Sequence, residues 1–194
     1  MLPIYLASAS PRRHEILDQM GITHDILTLP APQGEDEPRL TNESPQQYVA
    51  RTAREKALRA MQWVSAIDLP VRPILTADTC VSLKDEILGK PGSLHDVLTM
   101  LRQLSGQTHL VQTAVVLLIN GTVHECLSTT NVTFTTLTDQ EISDYADTNE
   151  PWGKAGSYGI QGRAAAFISA INGSYSGVVG LPIFETMRLL KGNL

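Results

Sequence analysis

The sequence predicts an α/β fold in one unit of 194 residues. In the first half, short β-rich segments alternate with amphipathic helices that carry recognisable N-caps. In the second half, Asn120-Gly121 separates two long β runs, the strongest short-range hairpin signal. No repeat, linker or low-complexity tract divides the chain, so residues 1–194 are expected to be one domain, with room for two lobes.

Ile4 to Leu6 read as the end of a short buried strand. Ser10 is placed as a helix N-cap and Pro11 as the first helical residue, with Ile16, Leu17 and Met20 on the apolar face. Arg13 stands where a capping box would put Glu or Gln, beside Arg12. Cations in a first helical turn cost on the order of 0.3–1 kcal/mol each, a penalty that a bound anion removes. Two arginines pointing into solvent is the plainer alternative.

Asp25 to Leu29 form a second strand candidate, followed by a proline-rich loop through Pro38. Ser44-Pro45 opens a long helix with Gln47 in the capping-box place. Its inward stripe includes Val49, Thr52, Ala53, Ala57 and Ala60, and Lys56 falls beside that stripe, four residues after Thr52. Such a lysine snorkels outward, pairs with an acid or faces a ligand. Pro73 to Ala77 read as a buried strand with Asp78 at its carboxyl end, where open α/β sheets bind ligands. Lys84-Asp85-Glu86 makes a turn, and the returning Ile87-Leu88 is expected to bring Lys90 near Asp78.

Ser93 to Ser105 is a capped helix ended by Gly106, and the hairpin runs span Thr108 to Ile119 and Thr122 to Thr136. Thr138 with Glu141 caps another helix. Asn149 to Gly162 is rich in glycine but carries Trp152, Tyr158 and Ile160, which favour an ordered functional loop. Ala165 to Ile171 reads as a strand, with an Asn172-Gly173 turn into Tyr175 to Val179. Gly180-Leu181-Pro182 then leads into a final helix.

The charge balance, 15 Lys and Arg against 20 Asp and Glu, argues against a general nucleic-acid surface. Cys80 and Cys126 have no metal-ligand or disulfide-framework spacing, so a reducing, cytoplasmic setting is expected. No stretch suggests a signal peptide or membrane span. The five histidines, His14, His24, His95, His109 and His124, show no metal-ligand or catalytic-pair spacing and are expected to be surface or satisfied residues. There is no Walker pattern, no GxGxxG after a strand and no GxSxG elbow.

What remains is a set of cations (Arg12, Arg13, Lys56, Lys90) and acids (Asp78, with Glu35 or Glu37). Hydrolysis of a phosphoanhydride uses that mixture: cations hold the phosphates, a carboxylate orients or deprotonates water, and acids hold a divalent metal.

At these residues the sequence resembles the Maf-type nucleoside triphosphate pyrophosphatases. The resemblance rests on Ser8-Ala9-Ser10-Pro11-Arg12-Arg13, Ala53-Arg54-Glu55-Lys56-Ala57, Ala77-Asp78-Thr79 and Gly89-Lys90-Pro91, then Ala155 through Gly162 and Gly180-Leu181-Pro182, six motifs in order. It implies a two-lobed Maf/ITPase-like α/β fold, with a mixed central sheet flanked by helices and the active-site cleft between lobes. It also implies hydrolysis of a nucleoside triphosphate to the monophosphate and pyrophosphate, a divalent cation (Mg²⁺ or Mn²⁺), and a homodimer as the common assembly.

By motif position, Asp78 would be the general base, and Ser8, Arg13, Lys56 and Lys90 would bind the phosphates. Arg12, Thr79 and Gln161 would choose the base. Asp78-Thr79 with Ile160-Gln161-Gly162 is similar to the subgroup acting on dTTP and UTP. The family's loop acid falls in a longer segment here, Gly34-Glu35-Asp36-Glu37-Pro38. Counting back from Glu43-Ser44-Pro45 favours Glu37 as the metal-binding acid beside Asp78, with Glu35 the alternative. The expected role is a housecleaning enzyme for dTTP, UTP and base-modified pyrimidine triphosphates, with no nucleic-acid or membrane partner. The competing expectation is a nucleotide-sensing protein that acts through partners in cell division.

Overall fold

Seven strands build one open, mixed sheet in a computed structural model that describes residues 3–31 and 37–194. The strands are β1 (Ile4–Leu6), β2 (His24–Ile26), β3 (Ile74–Leu83), β4 (Glu86–Leu88), β5 (Thr108–Ile119), β6 (Thr122–Phe134) and β7 (Ile168–Asn172). The order across the sheet is β2-β1-β3-β5-β6-β7, with β4 also paired to β3. β1 runs parallel to β2 and β3, while β4, β5, β6 and β7 add in antiparallel sense. The helices are α1 (Pro11–Gln19), α2 (Pro45–Ala66), α3 (Leu94–Leu104), α4 (Asp139–Ala146), α5 (Tyr175–Val179) and α6 (Ile183–Asn193).

Strand alternation sorts the core. Leu6, Leu75, Ala77, Val115 and Leu117 face α1 and α6, while Tyr5, Ile74, Ala114, Val116 and Leu118 face α2. The small residues Ala53, Ala57 and Ala60 let α2 lie close on the sheet, where Thr76 Oγ1 donates to the Ala53 carbonyl at 2.8 Å. A separate cluster around Val81, Val111, Phe134, Leu101 and Ile142 fills the far end, beneath α3 and α4, and forms the second lobe. No helix among the described residues is long and apolar enough to cross a membrane.

Three expected capping boxes are present, at Ser44/Gln47, Ser93/Asp96 and Thr138/Glu141. Ser10 is different: its side chain makes no capping bond, and its own N–H donates to Ser8 Oγ at 3.2 Å. Asp78 is not at a strand end. β5 stays paired to β3 from Ser82↔Leu110 to Ile74↔Leu118, so the strand runs straight through Asp78. β2 stops at Ile26 because β1, its partner, stops at Leu6. The strand expected from Ala165 begins at Ile168, opposite the last residue of β6; Arg163–Phe167 is a 3₁₀ turn. Tyr175–Val179 is a helix, capped by Ser174 Oγ accepting from Gly177 N–H at 3.0 Å.

Candidate active site

A cleft opens along the outer edge of β3. That edge pairs with β1 only through Leu75 and with β4 only from Val81. Between those points no strand covers it, and the chain leaving β1 turns into α1. The result is a cavity of about 930 Å³, walled by the β1–α1 turn, the segment after β2, α2, β3 and the glycine-rich loop. It lies beyond the carboxyl end of a parallel strand, where open α/β sheets place ligands.

Asp78 is buried on the α2 side, 6% exposed. Thr52 Oγ1 donates to its Oδ2 at 2.7 Å, and Lys56 Nζ donates to its Oδ1 at 2.7 Å. Thr52 and Lys56 are one helical turn apart on α2, so one face of the helix presents both groups to one carboxylate. Lys56 also ion-pairs with Glu37, which lines the same cleft. Glu35, the alternative loop acid, lies outside the described residues. Burial pushes the nearby Cys80 thiol up to about 12, with the Asp78 charge adding to the effect.

Thr79 belongs to the opposite face. Arg13 donates from Nε to the Gly180 carbonyl at 2.8 Å, from Nη1 to Ser8 Oγ at 3.1 Å and from Nη2 to Thr79 Oγ1 at 3.3 Å. Thr113 Oγ1 donates to the Gly177 carbonyl at 2.8 Å. The 2.8 Å bond between Thr79 and Thr113 must therefore be donated by Thr79. The direction of the whole chain, Arg13 to Thr79 to Thr113 to Gly177, is thereby fixed. Burial lowers the Arg13 pKa, Asp78 raises it, Arg12 lowers it and Glu37 raises it again.

Arg12 points elsewhere. Its Nε donates to the Val179 carbonyl at 3.2 Å, and it lines a recess of about 270 Å³ with Gln161, Lys154 and Glu150. That recess shares Arg12, Lys154 and Tyr158 with the main cleft, so the two spaces adjoin. Of the three expected base-choosing residues, Arg12 and Gln161 line one recess, while Thr79 is engaged with Arg13. Lys90 reaches the cleft as the β3–β4 hairpin implied, and it ion-pairs with no described residue.

The sequence reading missed Thr52, Thr113 and Lys154. The four-residue step between Thr52 and Lys56 was the available signal for the first. Thr113 is visible only from strand register, and Lys154 only from the path of a non-repetitive loop. His14 and His24 are part-exposed and hydrogen-bonded, as expected of surface or satisfied histidines, but they partner each other: Nδ1 of His14 and Nε2 of His24 lie 2.6 Å apart, with Asp18 beside them.

Comparison with known proteins matches residues 3–193 to the family model described as Maf-like protein. The chain belongs to the Maf family. A dTTP/UTP pyrophosphatase of Bordetella avium is 53% identical over 188 residues, covering 97% of this chain and 94% of that protein. The dTTP/UTP pyrophosphatase of Escherichia coli is 51% identical over 191 residues, covering 98% and 93%. One of Ralstonia nicotianae is 50% identical over 190 residues, covering 96% and 92%.

In this Maf chain the acids of the cleft suit a hard divalent cation. Glu37 and Asp78 offer carboxylate oxygens, the donor type that Mg²⁺ and Mn²⁺ take. The Lys56 ammonium already contacts both, so the two carboxylates are arranged around positive charge.

Proposed function

We propose that this Maf-family chain is a hydrolase that cleaves the α–β phosphoanhydride bond of dTTP and UTP. Base-modified pyrimidine triphosphates of the same shape would be handled in the same way. The products are the nucleoside monophosphate and pyrophosphate. The observation that carries the reading is Asp78, buried and held through both oxygens, in a cleft that also holds Arg13, Lys56 and Lys90.

Asp78 accepts the proton of the attacking water as the water oxygen bonds to phosphorus and the bridging oxygen leaves with pyrophosphate. A carboxylate tied to an ammonium is a poor base. Phosphates that draw Lys56 toward themselves release Asp78 Oδ1 for water, while Thr52 keeps the carboxylate oriented through Oδ2. Arg13 and Lys90 meet charge that builds on the leaving group. Ser8 helps fix Arg13 through its hydroxyl. A divalent metal held by Glu37 and Asp78 would supply further neutralisation of the phosphate oxygens. Arg12 and Gln161, in the adjoining recess, choose the base. Nothing in the comparisons supports the alternative of a nucleotide sensor acting through partners.

The test is pyrophosphate release from a panel of triphosphates with Mg²⁺ or Mn²⁺. Release from dTTP and UTP is expected, with Asp78→Asn lowering turnover by about 10²–10⁴-fold while the melting temperature holds. No release from any pyrimidine triphosphate would refute the substrate assignment, and near-normal turnover in Asp78→Asn would refute the base.

A further inference from the structure

Outside the Asp78 centre, His14 on α1 and His24 on β2 meet edge to face, with ring centroids 4.8 Å apart. The polar partner of His24 decides its tautomer. His24 Nδ1 lies 2.7 Å from the Ile22 carbonyl, which can only accept, so Nδ1 carries the hydrogen and Nε2 presents a lone pair. His14 Nε2 lies 3.3 Å from the Asp18 carboxylate, one helical turn on; in the tautomer that turns Nε2–H toward Asp18, Nδ1 presents its lone pair. The two exposed lone pairs are His14 Nδ1 and His24 Nε2, and these atoms are 2.6 Å apart. In that tautomer the two lone pairs converge on one point, as two ligands of a metal ion do; in the other, His14 Nδ1–H donates to His24 Nε2.

We propose that His14 and His24 form a site for a borderline divalent transition metal of the Zn²⁺ class, separate from the oxygen site at Glu37 and Asp78. Imidazole nitrogens suit zinc-class ions rather than Mg²⁺. The outer nitrogens are already engaged as in known sites: a ligating histidine usually donates its other N–H to a carbonyl or carboxylate, which here are Ile22 and Asp18. One ligand atom each from His14, Asp18 and His24 lie within 4.8 Å of one another.

Bonds of about 2.0–2.1 Å at a tetrahedral centre place two nitrogens about 3.3 Å apart, so the rings must separate by about 0.7 Å. The His14 side chain is 39% exposed and Asp18 59%, which leaves freedom for that shift, a path for entry and room for water ligands. Asp25, which follows His24 in the chain, is paired with Arg72. A metal here ties α1, which carries Arg12 and Arg13, to the edge strand that leads into the opposite wall of the cleft.

The test uses the full chain in an Asp78→Asn, Glu37→Gln background, which removes the oxygen site. Zn²⁺ is titrated against a fluorescent chelator, and Co²⁺ is followed by its visible ligand-field bands. One equivalent of Zn²⁺ is expected, with a raised melting temperature and Co²⁺ bands typical of nitrogen ligation. His14→Gln or His24→Phe should each remove the binding, and Asp18→Asn should weaken it about 10–100-fold. If a histidine variant proves unstable without metal, the Co²⁺ spectrum of the parent background still decides. Absence of Zn²⁺ binding in that background, or binding unchanged by both histidine variants, would overturn the proposal and leave a hydrogen bond from His14 Nδ1–H to His24 Nε2 as the whole of the contact.

Discussion

Asp78 and Thr79, neighbours on β3, serve opposite faces of the sheet and still line one cleft. Asp78 is held by α2 through Thr52 and Lys56. Thr79 is held by Arg13 from α1 and passes its own hydrogen to Thr113. Alternation along a strand thus separates the acid from the arginine network, and the uncovered edge of β3 lets one ligand touch both. Each half has its own support, so each can be tested alone.

Thr52→Val keeps the shape of the side chain and removes its hydrogen bond to Asp78. A hydrogen bond to a charged group contributes about 1.5–3 kcal/mol, so turnover should fall about ten- to a hundredfold. Thr52 does not line the cleft, so KM should hold. Steady-state kinetics on dTTP give the answer, and a rise in KM with normal kcat would contradict the positioning role.

Gly156 sits at φ +69°, and a Cβ there would meet Val81 Cγ1 at 2.9 Å. Its N–H donates to the Gly89 carbonyl at 3.1 Å, joining the loop to the segment that carries Lys90. Gly156→Ala should cost at least about 1–2 kcal/mol in backbone strain and lower the melting temperature by about 2–8 °C. KM should rise as Lys90 and Lys154 shift. Gly121→Ala is the control, because φ is +79° but nothing lies within 4 Å. It should lose stability and keep KM.

Most of the fold was legible because the signals are local: caps at Ser44, Ser93 and Thr138, and a hairpin at Asn120-Gly121. The errors arose where a partner decides. Local pattern ends a buried strand at Asp78 and continues extended through Cys80-Val81-Ser82-Leu83, and only the pairing with β5, distant in sequence, makes the two stretches one strand. Local pattern starts a strand at Ala165, but β6 ends too early to pair with it. Lys56 stood out because it breaks an apolar stripe, but its contact with Glu37 follows from a loop path that no periodicity encodes. The His14–His24 meeting joins a helix to an edge strand and leaves no spacing motif at all.

His109 is 2% exposed, with Nε2 against the Tyr158 hydroxyl at 2.8 Å and no hydrogen-bond partner on Nδ1 among the described residues. Burial pulls its pKa down to about 4 from 6.5. Between those values the unfolded chain binds the proton more readily than the folded one. His109 therefore leaves stability intact above about pH 6.5 and removes it progressively as pH falls toward 4. The loss is on the order of 3 kcal/mol. Urea unfolding at pH 7 and pH 4 should show a smaller difference for His109→Gln than for the natural chain. Equal differences would rule out His109 as the source.

Arg13 and Gln161 should separate phosphate binding from base choice. Three of the five guanidinium N–H donors of Arg13 are spent on Gly180, Ser8 and Thr79, and two remain for phosphate oxygens. Phosphates are common to every triphosphate, so Arg13→Lys, which keeps the charge but loses the fork, should lower kcat/KM about tenfold or more for dTTP and UTP alike. Gln161 is exposed in the recess with Arg12, and the hydrogen bonds of Arg13 go to Gly180, Ser8 and Thr79 instead. Gln161→Ala should leave the loss on dTTP modest and raise the relative rate on purine triphosphates. The ratio of kcat/KM for dTTP against GTP is the deciding measurement. A ratio that moves with Arg13→Lys and stays fixed with Gln161→Ala would reverse the two assignments, because only a group near the base can tell one nucleotide from another.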